Sequence, residues 1–160
     1  MRDYPLRLHH KTPGWVKAGA LFHIRIRAAA DQKPVLTTPA LAAELLAAAR
    51  QYHEQGRWCC ELFLLMPDHV HALLAFPRDA DMSVSVRNWK RVTARMHGVV
   101  WQPNYFDHRI RNDQEAKATW AYIRRNPLVK HLCATEEDWP HWWSALSPTR
   151  LFGSVLGKAP

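Results

Sequence analysis

The chain has 160 residues, 48% of them hydrophobic, which suffices for one domain with its own core and excludes a disordered chain. A formal net charge of +8, combined with eight tryptophans, points to a polyanionic partner. No stretch approaches about 18 consecutive apolar residues and the first ten residues hold no apolar leader core, so the sequence reads as cytoplasmic, with no membrane partner.

Residues 1–19 read as a basic lead-in carrying Arg2, Arg7, Lys11 and Lys17, residues 20–146 as a single domain, and residues 147–160 as a tail. From Ala20 to Arg27 apolar and polar residues alternate, predicting a half-buried strand with Phe22, Ile24 and Ile26 inward and His23, Arg25 and Arg27 outward. Thr38 followed by Pro39 predicts a helix start, and Ala40 to Tyr52 continues it with Leu41, Leu45 and Ala48 as the apolar stripe, ended by Gly56. Trp58 to Met66 is a near-continuous apolar run, the mark of a central strand. Pro67-Asp68 turns the chain, and His69 to Phe76 returns as the antiparallel partner.

A second helix is expected from a Ser83 or Ser85 cap to His97, stopped by Gly98, with Val86, Trp89, Thr93 and Met96 on its buried side. Its other side gathers Arg87, Lys90, Arg91 and Arg95 with no acidic residue between Ser83 and Trp101, which suits phosphate contacts as well as an ordinary solvated face. Val99–Trp101 and Tyr105–Ile110 read as a further strand region, and Asn112 with Glu115 as a capping box. The third helix is expected from Asp113 to Arg125, with Pro127 ending it. This order predicts an α/β (α+β) fold of the ferredoxin-like, split βαβ kind: an antiparallel sheet with helices on one face. Cys59 and Cys60 are strand neighbours facing opposite ways, so with Cys133 they read as reduced thiols.

Two features carry chemistry. His69 and His71 alternate with Val70, so both imidazoles fall on one sheet face, where they suit a divalent metal or are simply two half-exposed histidines. Ala116, Trp120 and Ile123 form the packing side of the third helix. Tyr122 sits about 200° around from Trp120, and Asn126 lies one turn beyond it. By spacing alone Tyr122 is equally a boundary tyrosine with a wet tip.

The segments MPDHVHALLAF, NWKRV, WQPNYFDHRIRN, YIRRNPLVKHLC and EEDWP, in this order, resemble the REP-associated tyrosine transposases, which are single-tyrosine HUH enzymes acting on single-stranded DNA. The resemblance covers about Ala20 to Pro140. It implies that the third helix is an added C-terminal catalytic helix bearing the nucleophile Tyr122. It also implies that His69 and His71 are catalytic metal ligands with Asn126 as the third ligand, and that the metal is Mg²⁺ or Mn²⁺. The activity so implied is cleavage of single-stranded DNA near a hairpin through a 5′-phosphotyrosine, with rejoining of strands, by a monomer or homodimer. His108 aligns with a family histidine near the site; it, Lys90, Arg91, Arg95 and Arg25 are the candidate DNA contacts, joined by His23. Relatives carry a serine pair where this chain has His141-Trp142-Trp143, and the tryptophans Trp139, Trp142 and Trp143 are expected to cover a sheet edge. Two other classes stay open: a non-catalytic single-stranded nucleic-acid-binding module, and a metal-dependent hydrolase using water with Tyr122 incidental.

Overall fold

Residues 19–146 are described by a computed structural model. They form β1 (Leu21–Arg27), α1 (Pro39–Glu54), β2 (Cys59–Leu65), β3 (His69–Ala75), α2 (Met82–His97), β4 (Phe106–Arg109) and α3 (Asp113–Val129). A 3₁₀ turn at Glu136–Asp138 and the short β5 (Trp142–Trp143) follow. The strands make one sheet in the order β4-β1-β3-β2-β5, every pair antiparallel. This is the split βαβ arrangement expected from the element order, with one strand added at the β2 edge. The expected lead-in and tail lie outside the described residues, Gly19 apart.

Alternation on the strands creates two cores. Phe22, Ile24 and Ile26 of β1 and Val70, Ala72 and Leu74 of β3 point to one face, where Leu45 of α1 and Val86 and Trp89 of α2 cover them. Leu21, Leu73 and Ala75 point to the other face, against Ala116 and Ile123 of α3. So α1 and α2 share one face of the sheet and α3, the added helix, closes part of the opposite one. β2 is buried on both faces, and a bulge between Cys60 and Leu62 resets its alternation. Cys60, Phe63 and Leu65 therefore join the first core, and Cys59, Leu62 and Leu64 the second. Cys59, Cys60 and Cys133 form no disulfide, as the sequence implied.

Tryptophans fill the first core: Trp89 meets Phe63 at 5.3 Å and Trp101 at 5.4 Å between ring centroids. Trp58, fully buried, donates its Nε1–H to the carbonyl of Ala49 at 3.1 Å. At the far end Trp142 and Trp143 pair with Leu64 and Phe63, and Trp139 donates to the carbonyl of Leu65 at 3.0 Å. The terminal tryptophans thus close the β2 edge, as expected, removing unpaired strand groups from solvent.

Helix ends depart from the sequence expectations in four ways. The cap of α2 is Asp81, whose Oδ1 accepts from Val84 N–H at 3.2 Å; Ser83 instead meets the Tyr105 hydroxyl at 3.2 Å. Met96 is 70% exposed, outside the buried stripe of Val86, Trp89 and Thr93, because ten residues at 3.6 per turn place it about 80° around the helix from Val86. Asn112 caps α3 by accepting from Glu115 N–H at 2.8 Å, but Glu115 returns to Arg111 N–H at 2.8 Å and to His108, so the reciprocal half of a capping box is absent. Pro127 does not end α3, which runs on to Val129. The ring needs only that Ile123 forgo one backbone N–H partner, and the flanking contacts of Ile123 and Asn126 hold the last turn in place.

The Asp81 assignment is testable. Asp81→Ala is expected to lower unfolding free energy by about 1 kcal/mol, whereas Ser85→Ala stays within about 0.5 kcal/mol of wild type in urea denaturation.

Candidate active site

The site is built on the sheet face that α3 covers only in part. Because β1 and β3 pair with Arg25 opposite His71 and Arg27 opposite His69, the outward residues of β1 stand beside both histidines. On the other side of β1, β4 pairs His108 with His23 and Phe106 with Arg25. Residues opposite each other in an antiparallel pair share a face, so β4, β1 and β3 bring His108, His23, Phe106, Arg25, His71 and His69 onto one surface. α3 supplies Tyr122 and Asn126 from above.

The imidazoles touch. Nε2 of His69 and Nε2 of His71 lie 3.1 Å apart, and Nδ1 of His71 lies 3.0 Å from Nε2 of His23. Nδ1 of His69 lies 2.6 Å from Oδ1 of Asp68. The Asn126 amide nitrogen is 3.5 Å from Nε2 of His71. Tyr122 stands edge-on to His71 and His23, with ring centroids at 6.0 Å and 6.3 Å, and is 56% exposed. His71 is 1% exposed. The α3 stripe explains the contrast: Ala116 and Ile123 anchor the helix in the core, one step turns Tyr122 to solvent, and Asn126, one turn on, returns to the sheet.

These histidines are neutral at pH 7. Burial, helped by His69, His23, Arg25 and Arg27, brings His71 down to about 2. Burial, with Arg25 and His108, brings His23 down to about 4. Burial lowers His69 against the opposing pull of Asp68. Neutral imidazoles are the form that binds metal.

Two ring nitrogens 3.1 Å apart cannot both be lone pairs unless a proton or a cation lies between them. The amide beside them is the natural third donor: Asn126 is buried and its Oδ1 has no hydrogen-bond partner among the described residues. A half turn of the amide would exchange its nitrogen and oxygen at His71. Among the described residues no three His, Cys, Asp or Glu side chains are grouped to hold a metal ion, so two imidazoles and an amide are the donor set available here. That set fits a divalent cation.

The other predicted contacts are divided. Arg25 reaches the site face, its guanidinium 5.1 Å above the exposed Phe106 ring. His108 is there too, but its Nε2 is 2.5 Å from Glu115. Lys90, Arg91 and Arg95 ride on α2, across the sheet from the histidines. Lys90 donates to the carbonyls of Gln102, Pro103 and Asn104 at 2.7, 3.2 and 3.3 Å, so its ammonium is committed to holding that loop. Arg91, with Arg87 and Trp101, lines an open cleft of about 540 Å³ beside it. His23, expected among the nucleic-acid contacts, stands against His71, a neighbour that only the strand register reveals. Asp68 and Phe106 escaped notice, although an acid directly before His69 was a readable signal.

Residues 20–126 match the family model for IS200-like transposases, and the chain belongs to that family. It is similar to the REP-associated tyrosine transposase of Escherichia coli K12, 30% identical over 81 residues, covering 49% of each chain. A second relative is described as a putative REP-associated tyrosine transposase of Haemophilus influenzae Rd, 26% identical over 96 residues, covering 48% of this chain and 53% of that one. The chain thus spans about half the length of the curated relatives it matches. Among solved structures, a REP-associated tyrosine transposase bound to a REP hairpin shares the fold, with a TM-score of 0.67 at 23% identity over 89% of this chain and 82% of that one. No helix among the described residues is long and apolar enough to cross a membrane.

The histidine shifts give a signed pH dependence. A free histidine titrates near 6.5 and these titrate lower when folded, so on acidification the unfolded chain takes up protons first. Stability is complete above about pH 6.5 and falls below it. From His71 alone the loss by pH 5 is about 2 kcal/mol. Urea denaturation at pH 7.5 and 5.0 in a chelating buffer should show it, and His71→Asn should shrink the difference.

Proposed function

We propose that this chain cleaves and rejoins single-stranded DNA through a covalent bond to Tyr122. His69, His71 and Asn126 would hold a Mg²⁺ or Mn²⁺ ion. The single observation that carries the reading is the convergence of an exposed tyrosine from α3 on a neutral imidazole pair, His71 buried and His69 half-buried, with an amide oxygen beside it that has no partner among the described residues. Membership of the IS200-like family supports it, and the REP hairpin on the solved relative supports hairpin-bearing DNA as the partner.

Held by His69, His71 and Asn126, a divalent cation would supply Lewis-acid polarisation of the scissile phosphate. The side chains do the rest. Tyr122 Oη attacks the phosphorus in line and the bond to the 3′ oxygen breaks; the upstream strand leaves, its 3′ oxygen taking a proton from solvent to become a hydroxyl, while the 5′ phosphate of the other strand stays on the tyrosine as a phosphodiester. The phenolic proton passes to solvent, to which Tyr122 is open. Asp68 keeps His69 aligned from behind, as outer carboxylates do for ligand imidazoles. The ester keeps the bond energy, so attack by a second 3′-hydroxyl rejoins strands and frees the tyrosine. Arg25 and the exposed Phe106 offer a charge and a stacking surface to the strand beside the reacting phosphate. Arg91 and Arg95 offer backbone charge on the opposite face, with His108 and Lys90 steadying their loops.

The test is a denaturing gel of protein with hairpin-bearing single-stranded oligonucleotides and Mn²⁺. Wild type is expected to give a heat-stable DNA–protein band that Tyr122→Phe abolishes and chelation suppresses. Cleavage persisting in Tyr122→Phe would assign the reaction to water, and salt-sensitive binding without cleavage in either protein would make the chain a binding module.

Arg91→Ala and Arg95→Ala should each weaken DNA binding uniformly across sequences. Each should reduce the slope of log affinity against log salt by about 1, in anisotropy titrations from 50 to 200 mM salt.

A further inference from the structure

The two ligand histidines are backed differently. Nδ1 of His69 faces the Asp68 carboxylate at 2.6 Å, a partner that only accepts and so fixes the His69 proton on Nδ1. Nδ1 of His71 faces neither carboxylate nor backbone carbonyl but Nε2 of His23 at 3.0 Å. The two rings are stacked at 5.2 Å with 28° between planes. His23 is itself held by the unbroken β1–β3 register and by Phe106, edge-on at 6.0 Å. With His71 1% exposed, solvent offers no substitute partner for its Nδ1.

Consider the protons. With that of His69 on Nδ1, the 3.1 Å contact between the two Nε2 atoms needs a proton from His71 Nε2; His71 Nδ1 is then a lone pair and accepts from His23 Nε2–H. A cation can enter only if the His71 proton moves to Nδ1. His23 Nε2 must then become the acceptor, with its own proton on Nδ1. Each ring keeps one proton throughout. An imidazole can serve as donor in the first arrangement and acceptor in the second, which a carboxylate cannot do.

We propose that His23 is a positioning residue for the reaction: by reversing its hydrogen bond to His71 it lets His71 turn an Nε2 lone pair to the cation without leaving a buried nitrogen unpaired. This rests on the reading of His69, His71 and Asn126 as the cation site. His23 touches neither cation nor substrate in this role. It also makes the two ligands unequal, His69 being the more basic because a carboxylate stands behind it.

The experiment uses the full chain and cations alone. Free Mn²⁺ is followed by electron paramagnetic resonance during titration of wild type, His23→Leu, His23→Gln and His71→Ala. Long-range ¹H–¹⁵N spectra of wild type report ring tautomers as Mg²⁺ is added. His23→Leu is expected to weaken Mn²⁺ binding by about 10–100-fold, the usual cost of losing an outer partner of a metal ligand. His23→Gln, whose amide can donate or accept by a half turn, should recover most of that loss. In wild type, His71 and His23 should pass together from the Nε2–H to the Nδ1–H tautomer. The proposal is overturned if His23→Leu binds Mn²⁺ like wild type, or if His23 keeps its proton on Nε2 at saturating Mg²⁺. Should His23→Leu not fold, the wild-type spectra decide alone. Wild type binding Mn²⁺ no better than His71→Ala would remove the cation site itself, an outcome distinct from loss of the His23 role alone.

Discussion

β3 lies at the centre of the sheet, paired along its length with β1 and β2, and it must satisfy two demands with one alternation. Val70, Ala72 and Leu74 give one face entirely to the α1/α2 core, so the polar residues of the strand have to stand on the other. There His71 is buried as completely as any core residue, and a buried polar group without partners costs on the order of 1–3 kcal/mol. The surrounding elements meet that demand. β1 supplies His23, the start of β3 supplies His69, and α3 supplies Asn126. A slip of β1 by one residue would exchange its apolar and polar faces, emptying the first core and removing His23 from His71 together. Core and site are thus fixed by the same register.

α3 works under a similar double constraint. Its packing residues Ala116 and Ile123 set the rotation of the helix, and that rotation decides that Tyr122 is wet and Asn126 dry. The last turn matters because Asn126 is on it. A helix stopping before Pro127 would leave Asn126 at a frayed end, whereas continuation to Val129, with Lys130 N–H bonding the Asn126 carbonyl at 3.0 Å, keeps its Cα on the helical path. His131, at φ 58°, then turns the chain toward the 3₁₀ segment.

Period and punctuation made most of the fold legible: the alternation of β1, the hairpin at Pro67-Asp68, the Gly98 stop and the antiparallel order follow from local rules. The His69/His71 pair and the Tyr122/Asn126 pair were each visible as spacings, but their meeting depends on how α3 crosses the sheet, which no local pattern encodes. Where local rules failed, a tertiary contact had outcompeted them. Glu115, positioned for a capping box, is drawn to His108 on β4 and to the Arg111 N–H. The bulge in β2 falls at Glu61, the one charged residue of the strand, but apolar residues on both faces on either side of it left no alternation from which a shift could be read.

The positive charge of the chain also acts twice at this site. Arg25 and Arg27 disfavour protonation of His69 and His71, and in the proposed reaction the same two residues would offer positive charge to DNA on this face of the sheet. An arriving polyanion neutralises them and cancels their part of the effect. Had the arginines been the main cause, substrate would protonate the imidazoles at the moment they are needed as lone-pair donors. Burial is the largest cause for each of His23, His69 and His71, and it does not depend on the arginines. Setting the histidines into the sheet, with the arginines beside them on β1, would let the proposed site attract a polyanion and keep its nitrogens free of extra protons.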